Sequence, residues 1–294
     1  MTDSNLDVRR IKGHLPGIIP VSGQPLDFHM DWHDSMMPVA PDLTAVERSI
    51  LDCLHFGCDT IWLVCNDDIA PLFRHRIGEK TGFPNKGETS KPIQIFYVPF
   101  STVDIDNKDC LSWGALRGAD IAHRISLKLS KWLVPDKYFV SFPYGVHNPK
   151  HLKAHRRKFA IFNYKGKTIL DNEYVPFVMT SEDYFECRDN FRNSIVGSHI
   201  NNVRVRPHEK YTGRFFTPAQ VFSEMTTEDK HQIEIPWHYN IDSWEGYCKY
   251  LGSEHKNEIE RTIHLKYREW NQIGVDYDEK KDLHRTRIFK ARKI

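Results

Sequence analysis

The stretch from Gly17 to Gly78 reads GIIPVSGQPLDFHMDWHDSMMPVAPDLTAVERSILDCLHFGCDTIWLVCNDDIAPLFRHRIG. An apolar segment leads into a polar loop, a helix-like run, a second apolar segment and another helix-like run. Apolar residues recur at helical spacing from Thr44 to Phe56, Thr44 with Glu47 forms a capping-box pattern, and Gly57 is predicted to end the helix. The order strand, loop, helix, strand is typical of a parallel βαβ unit. It predicts an α/β domain whose ligand lies at the loop after the first strand.

Strand-like and helix-like segments continue to alternate after this stretch. The pattern predicts strands over residues 93–98 and 138–142, separated by a long amphipathic helix over residues 113–132. Ile125, Leu129 and Trp132 are expected on the inward face of that helix. Alternation of this kind predicts an α/β fold with a mostly parallel, three-layer sheet.

The chain is expected to divide into an α/β domain over residues 1–252 and a helical, basic extension over residues 253–294. A helix is predicted over residues 254–270, from apolar residues at helical spacing. Five cationic residues lie near the end of the chain: Arg285, Arg287, Lys290, Arg292 and Lys293. This basic tail is either a solvated segment or a contact for phosphate or an acidic partner.

Composition limits the classes of function. The chain has 294 residues and a formal net charge of +2, which leaves nucleic-acid binding possible but does not indicate it. Its six cysteines include no CxxC pair, so we expect reduced thiols in a cytoplasmic protein. No run approaches the roughly 20 apolar residues needed to span a bilayer, so we expect no membrane partner. The oligomeric state is open.

Four segments resemble, in order, motifs of the sugar-nucleotide nucleotidyltransferases. They are GIIPVSG at 17–23, DSMMPV at 34–39, GCDTIWLV at 57–64 and WHYNIDSWEGY at 237–247. Gly114-Ala115, opening a helix, also fits the family pattern. The chain is similar as well to nucleotidyltransferase-like proteins encoded by marine tailed phages. The resemblance implies a Rossmann-like, GT-A-like fold of the nucleotide-diphospho-sugar transferase type.

The same resemblance implies a site for a nucleotide or sugar nucleotide with Mg²⁺ or Mn²⁺. Asp242, or Asn240 in another register, stands where the family places a late metal-binding Asp. Asp34 stands at the position of the family's Lys in the segment that ends in Pro-Val, and Asp34 and Asp242 are the residues expected to be catalytic. The residues expected to hold the nucleotide are Val21, Ser22, Gly23, Gln24, Trp113 and Gly114.

Departures from the family motifs suggest an altered ligand or reaction. The first loop has a single glycine, Gly23, where the family has consecutive glycines and an Arg that wrap the triphosphate. Asp34 replaces the family's Lys and so reverses a charge. Pro143-Tyr144-Gly145 stands where the family has Gly-Asp, whose Asp holds the metal.

The first loop also carries an HxDxHD cluster. His29, Asp31 and His33 alternate, so in extended backbone their side chains share one side, with Asp34 adjacent. Imidazole and carboxylate ligands suit Zn²⁺, Mn²⁺ or Fe²⁺. The alternatives are a hydrogen-bonded loop that positions a ligand without metal, or a purely structural loop.

Other candidates are weaker. Asp104 and Asp106 form a DxD pattern, which many glycosyltransferases of this fold use to bind a metal-diphosphate. Trp32 and Trp113 either stack on a base or sugar ring or pack in the core.

Three functions therefore remain open. The leading one is an enzyme that joins a nucleotide to a sugar phosphate through an altered phosphate loop. The second is a glycosyltransferase of the same fold that uses a sugar nucleotide, with a sugar or a nucleobase as acceptor. The third is a catalytically inactive binding or virion-associated protein. If the protein is viral, the expected location is the host cytoplasm.

Overall fold

The computed structural model describes residues 13–21, 33–82, 92–100, 110–153, 155–156, 158–196, 216–228 and 230–260. The order of strands within this part of the chain defines the fold. Its strands are β1 (Pro16–Pro20), β2 (Pro38–Ala40), β3 (Leu43–Thr44), β4 (Thr60–Cys65), β5 (Lys80–Thr81), β6 (Ile93–Pro99), β7 (Lys137–Val140), β8 (Gly145–Val146), β9 (Ala160–Asn163), β10 (Phe177–Thr180), β11 (His231–Glu234) and β12 (Tyr239–Asn240).

Eight of these strands form one sheet in the order β11-β9-β10-β7-β1-β4-β6-β5. The four central strands, β7, β1, β4 and β6, are mutually parallel, and β11 is parallel to β9. Strand β10 runs antiparallel to both of its neighbours, and β5 is antiparallel to β6. The predicted α/β fold with a mostly parallel, Rossmann-like sheet is confirmed.

The described α-helices are α1 (Ala45–Phe56), α2 (Ala70–Arg76), α3 (Leu111–Leu129), α4 (Ser181–Val196), α5 (Pro218–Val221) and α6 (Trp244–Leu251). Helix α1 begins and ends at the predicted signals. Thr44 and Glu47 form the capping box, and Gly57 follows the helix in the left-handed conformation with a φ of 89°. These local hydrogen bonds satisfy N–H groups at the start of the helix, and the glycine permits the turn after it.

Two apolar cores lie on the two faces of the sheet. Alternate residues of β1 point to opposite faces, so Ile19 joins the core beneath α1 while Ile18 joins the core beneath α3. Helices therefore cover both faces, which confirms the predicted three-layer arrangement.

Helix α3 lies unusually close to the sheet because two glycines face it. A Cβ on Gly114 would stand 3.0 Å from Pro20 Cβ, and a Cβ on Gly118 would stand 2.5 Å from Ile18 Cγ2. Only a residue without a side chain allows this approach. The contact sets the first turn of α3 against the last residue of β1.

The outer end of α3 differs from the sequence prediction. The helix ends at Leu129, and residues 131–133 form a 3₁₀ turn rather than its continuation. Ile125, Leu129 and Trp132, predicted to face inward, are exposed. Helical periodicity identifies an apolar stripe, but it does not distinguish a stripe that faces the core from one that faces solvent.

The start of the predicted C-terminal extension also differs from its prediction. Residues Glu254–Asn257 form a 3₁₀ helix instead of the first turn of an α-helix. Ile259 is buried in the same core as Ile19, and Glu258 accepts a hydrogen bond from Trp237 Nε1 at 2.7 Å. Residues 254–260 therefore pack on the α/β domain, and the boundary at residue 252 stays a prediction.

Candidate functional site

The sheet has a topological switch point between β1 and β7. From β1 the chain proceeds to β4 and β6 on one side, then crosses over to β7 on the other side. In open α/β sheets the ligand crevice lies outside the carboxyl ends of the strands at such a point. The residues at this edge are therefore the candidates for a binding site.

The N-terminus of α3 lies at this edge. Gly114, in the first turn of α3, packs against Pro20 at the carboxyl end of β1. Cys110 is the N-cap residue, and its Sγ accepts from Trp113 N at 3.4 Å. A helix of this length carries unsatisfied N–H groups and a partial positive charge at its N-terminus, which favours an anion there.

A late segment of the chain reaches the same edge. Strand β12 pairs with β8, and Ile241 N donates to Tyr144 O at 2.7 Å, four residues beyond the end of β7. Asp242, the next residue, is half-buried, and burial raises the pKa of its carboxyl group. Burial also raises the pKa of Tyr174, and the nearby Asp242 and Cys110 raise it further. Asp242 and Cys110, the N-cap of α3, are thus close enough to Tyr174 to influence its pKa.

Glu173 supplies a second carboxylate near Asp242. Burial raises the pKa of Glu173; Lys167 opposes this shift, and the negative charge of Asp242 adds to it. Asn240 Oδ1 accepts from Tyr174 N at 3.0 Å and lies 3.0 Å from His238 Nε2. We call Glu173, Asn240 and Asp242 the carboxylate cluster, because Asn240 binds the backbone beside Glu173 and the charge of Asp242 influences the pKa of Glu173. A carboxylate whose pKa is raised by burial and by a neighbouring negative charge favours a nearby cation or a proton.

A buried ionic network holds the chain just beyond β7. Arg48 Nη1 lies 2.6 Å from Asp52 Oδ2, and both side chains are fully buried. Arg48 Nη2 donates to Phe142 O at 2.6 Å, and Ser141 Oγ donates to Asp52 Oδ2 at 2.7 Å. His147 Nε2 lies 3.2 Å from Asp52 Oδ1. Helix α1 is thereby fixed to the segment that follows β7.

Burial is the largest single influence on the pKa values of the groups in this network. Burial by itself would raise the pKa of Asp52, but the charge of Arg48 together with the interactions of His147 and Ser141 outweighs burial and holds the pKa below its ordinary value. Burial lowers the pKa of His147, and the Arg48 charge lowers it further. The ring of His238 lies 6.0 Å from that of His147, and burial lowers its pKa to about 3. Both histidines are therefore neutral near pH 7.

Gly145 joins the network to the carboxylate cluster. A Cβ at this position would stand 1.8 Å from Tyr174 O and 2.9 Å from His238 Cε1. Any side chain at residue 145 would push the segment with Glu173 away from β8. Residue 145 must therefore be glycine for the backbone of β8 to approach Tyr174 this closely. The Pro143-Tyr144-Gly145 sequence supplies that glycine.

The predicted site residues fall into two groups. Val21, His33, Asp34, Trp113, Gly114 and Asp242 lie in the described structure. Ser22, Gly23, Gln24, His29, Asp31, Trp32, Asp104 and Asp106 lie outside the described residues. Among the first group, Gly114 packs at the carboxyl end of β1, and Asp242 follows Ile241, which bonds to the segment after β7.

Val21 and Trp113 are engaged in internal contacts. Val21 N donates to Val64 O at 2.8 Å, so it extends the sheet and is not free to bind a phosphate. The Trp113 ring is buried and stacks on Phe191 with ring centroids 5.1 Å apart. Their roles as nucleotide-binding residues stay predictions.

His33 and Asp34 begin a short 3₁₀ helix after the first loop. His33 Nδ1 accepts from Ser35 N at 3.2 Å and lies 2.8 Å from Ser35 Oγ, so this nitrogen is engaged within the short helix, and the role of His33 as a metal ligand stays a prediction. Asp34 is 1% exposed. Its carboxylate is thus shielded from solvent, and its catalytic role stays a prediction.

Among the residues that the structure describes, no group of three or more His, Cys, Asp or Glu side chains is placed to hold a metal ion. No helix in the same part of the chain is long and apolar enough to cross a membrane.

Glu173 and the Arg48 network were not predicted from sequence. Arg48 and Asp52 stand four residues apart on a helix whose other inward residues are apolar, and that spacing was a usable signal. Glu173 lies in a polar turn with nothing to distinguish it from other exposed acids.

No protein-family model matches the chain, and no curated protein sequence matches it. Solved structures with partial likeness include the inositol-1-phosphate CTP transferase from T. maritima, at 11% identity and a TM-score of 0.48. That match covers 90% of this chain and 99% of the other. The nucleoside-diphosphate-sugar pyrophosphorylase from Vibrio cholerae RC9 has 13% identity and a TM-score of 0.47, with 81% and 100% covered.

A UDP-glucose pyrophosphorylase complexed with UDP-glucose is similar at 10% identity and a TM-score of 0.47, with 81% of this chain and 97% of the other covered. Because these identities and TM-scores are low, the description of the fold rests on the strand order and not on these likenesses.

Proposed function

We propose that the protein is a metal-dependent nucleotidyltransferase that joins a nucleotide to a sugar phosphate. The observation that carries the proposal is the pairing of two carboxyl groups, Glu173 and Asp242, at the carboxyl edge of a sheet with a switch point. Burial raises the pKa of both carboxyl groups, and repulsion by the charge of Asp242 raises that of Glu173 further. A cation that carries a polyphosphate would relieve that repulsion.

Asp242 and Glu173 fit a magnesium or manganese ion. Mg²⁺ in phosphate-transfer sites takes one or two carboxylates from the protein and completes its coordination with substrate phosphates and water. Two described carboxylates are enough for that arrangement, whereas a site made only of protein ligands would need more. When bound, the ion would supply neutralisation of the charge on the phosphates.

The α3 N-terminus would bind the nucleotide phosphates. Its partial positive charge lies next to the carboxyl end of β1, where Gly114 lets the helix approach. In this proposal the residues around Ser22–Gln24 complete the contact with the nucleotide. Asp34, buried at the end of the same loop, would act on the loop's conformation and not on the phosphates.

The reaction would be attack of a sugar-phosphate oxygen on the α-phosphorus of a nucleoside triphosphate. The new bond joins that oxygen to the α-phosphorus, and the α–β anhydride bond breaks to release pyrophosphate. Lys167, which is exposed and close enough to Glu173 to influence its pKa, would offset negative charge on the incoming phosphate.

A thermal-shift screen tests this function. The protein is heated with each nucleoside triphosphate and with sugar nucleotides, each with Mg²⁺, with Mn²⁺ and with chelator. The proposal predicts a rise in Tm with a triphosphate that requires the metal. Stabilisation by sugar nucleotides alone would favour a glycosyltransferase, and no shift with any ligand would favour an inactive binding protein.

A further inference from the structure

The end of α3 and the turn after it present large apolar side chains to solvent. The Leu129 side chain is 72% exposed and that of Trp132 is 81% exposed. Three neighbours in the chain are also exposed: Ile125, Leu127 and Leu133. Monomeric proteins expose single apolar residues routinely, but a concentration within nine consecutive residues indicates an interaction surface. We call residues 124–133 the α3 tip.

The charged residues of the α3 tip are all positive. Arg124, Lys128 and Lys131 are its ionisable residues, and residues 121–135 contain no Asp or Glu. Arg124 is paired with Asp120 at 3.0 Å. Within the described part of the chain, Lys128 and Lys131 form no ion pair. Two free ammonium groups among exposed apolar side chains are complementary to an anionic surface that also accepts apolar groups.

The composition of the α3 tip favours a bilayer over a groove on a protein. Leu129 and Trp132 are exposed enough to be available for insertion into a bilayer. Trp is favoured at the boundary between lipid headgroups and acyl chains, and lysine can reach the phosphates while its methylene chain lies in apolar surroundings.

The position of the α3 tip leaves the crevice free. Helix α3 has 19 residues and is therefore about 28 Å long, with its N-terminus at Pro20 on the carboxyl edge of the sheet. Its C-terminus lies at the opposite edge. A surface bound there would not obstruct substrate entry.

We propose that the α3 tip docks the protein on an anionic lipid bilayer. Leu129 and Trp132 enter the interfacial region, while Lys128 and Lys131 contact lipid phosphates. This is a peripheral contact, made by exposed side chains, and it requires no spanning segment. The contact combines a short apolar insertion with electrostatic attraction, as weakly bound peripheral proteins do.

Vesicle co-sedimentation of the full chain tests the proposal. Vesicles of phosphatidylcholine alone are compared with vesicles of phosphatidylcholine and phosphatidylglycerol in equal amounts. The wild-type protein is expected to sediment with the anionic vesicles, and Leu129→Ser/Trp132→Ala is expected to reduce the partition coefficient roughly tenfold or more. Lys128→Glu/Lys131→Glu should reduce it as well. Trp244→Ala, at an exposed tryptophan on α6, is the matched control and should bind as the wild type does.

The basic residues at 285–293 make a second variant necessary. Truncation at residue 282 removes that tail and leaves the α3 tip intact, so binding by the tip should persist. Binding that disappears with the tail and is unaffected by Leu129→Ser/Trp132→Ala would overturn the proposal. Equal binding to both vesicle types or to neither would also overturn it. Self-association that the Leu129→Ser/Trp132→Ala variant abolishes, without vesicle binding, would assign the tip to a second copy of the chain instead.

Discussion

The guanidinium group of Arg48 and the carboxylate of Asp52 form an ion pair of 2.6 Å with no exposure of either side chain. Asp52 also accepts from Ser141 Oγ, and Arg48 donates to Phe142 O. Because both partners are hydrogen-bonded at several atoms, the pair fixes the chain beyond β7 relative to α1. The carboxylate cluster at Glu173 and Asp242 depends on that same segment through the pairing of β8 with β12.

Removing the positive charge of Arg48 should destabilise the fold strongly. Arg48→Met leaves Asp52 as an uncompensated buried charge, which typically costs about 3–5 kcal/mol. Urea unfolding measures the change in the free energy of unfolding. The matched control is Lys249→Met, in an exposed pair with Glu245 at the same four-residue spacing, and it should leave the midpoint unchanged. A loss in Arg48→Met no larger than in this control would contradict the structural role of the network.

Because α3 lies so close to β1, adding a single methyl group at Gly118 should lower the free energy of unfolding. Gly118→Ala would place Cβ 2.5 Å from Ile18 Cγ2 and 2.8 Å from Val64 Cγ2. Relief of such a clash by shifts of helix and strand should cost about 1–3 kcal/mol, although alanine favours helix more than glycine does. Denaturant unfolding gives the value.

Gly13→Ala serves as the control for that substitution, because its Cβ would meet only Asp136 Oδ1, at 3.6 Å. Greater stability in Gly118→Ala than in the wild type would mean that α3 does not approach the sheet as described.

Features of the fold that depend on residues close together in the chain could be predicted from the sequence, whereas contacts between distant residues could not. Helix α1 and its cap were predicted because Thr44, Glu47 and Gly57 act on backbone within one turn of themselves. The buried network brings Arg48 into contact with His147, which is 99 positions later in the chain. No local sequence pattern predicts a contact over that separation. The prediction that Leu129 faces the core was wrong because helical periodicity shows that apolar residues share one face of a helix, but not whether that face is buried.

Stability should fall as the pH is lowered below the ordinary pKa of histidine. In the unfolded chain a histidine binds a proton near pH 6.5, whereas His238 in the fold stays neutral until about pH 3. Between these values the unfolded state holds more protons, so the free energy of unfolding decreases as pH decreases. His238 alone contributes a slope of up to about 1.4 kcal/mol per pH unit.

His238→Gln isolates this contribution. Glutamine keeps an amide donor that can reach Asn240 but does not titrate, so the slope of stability against pH between 6.5 and about 3 should become shallower. Urea midpoints at a series of pH values measure it. An unchanged slope would show that His238 is not held neutral in the fold.

The central claim is that Asp242 helps to hold a metal–nucleotide complex at the carboxyl edge of the sheet. Isothermal titration of the wild type and of Asp242→Asn, with a nucleoside triphosphate in the presence of Mg²⁺ and then of chelator, tests it most directly. Asp189→Asn, at an exposed position on α4, is the control. The account predicts metal-dependent binding by the wild type and by Asp189→Asn, and binding roughly tenfold weaker or more, about 1.4 kcal/mol, in Asp242→Asn. Equal affinity in Asp242→Asn and the wild type, or binding that does not depend on the metal, would contradict it.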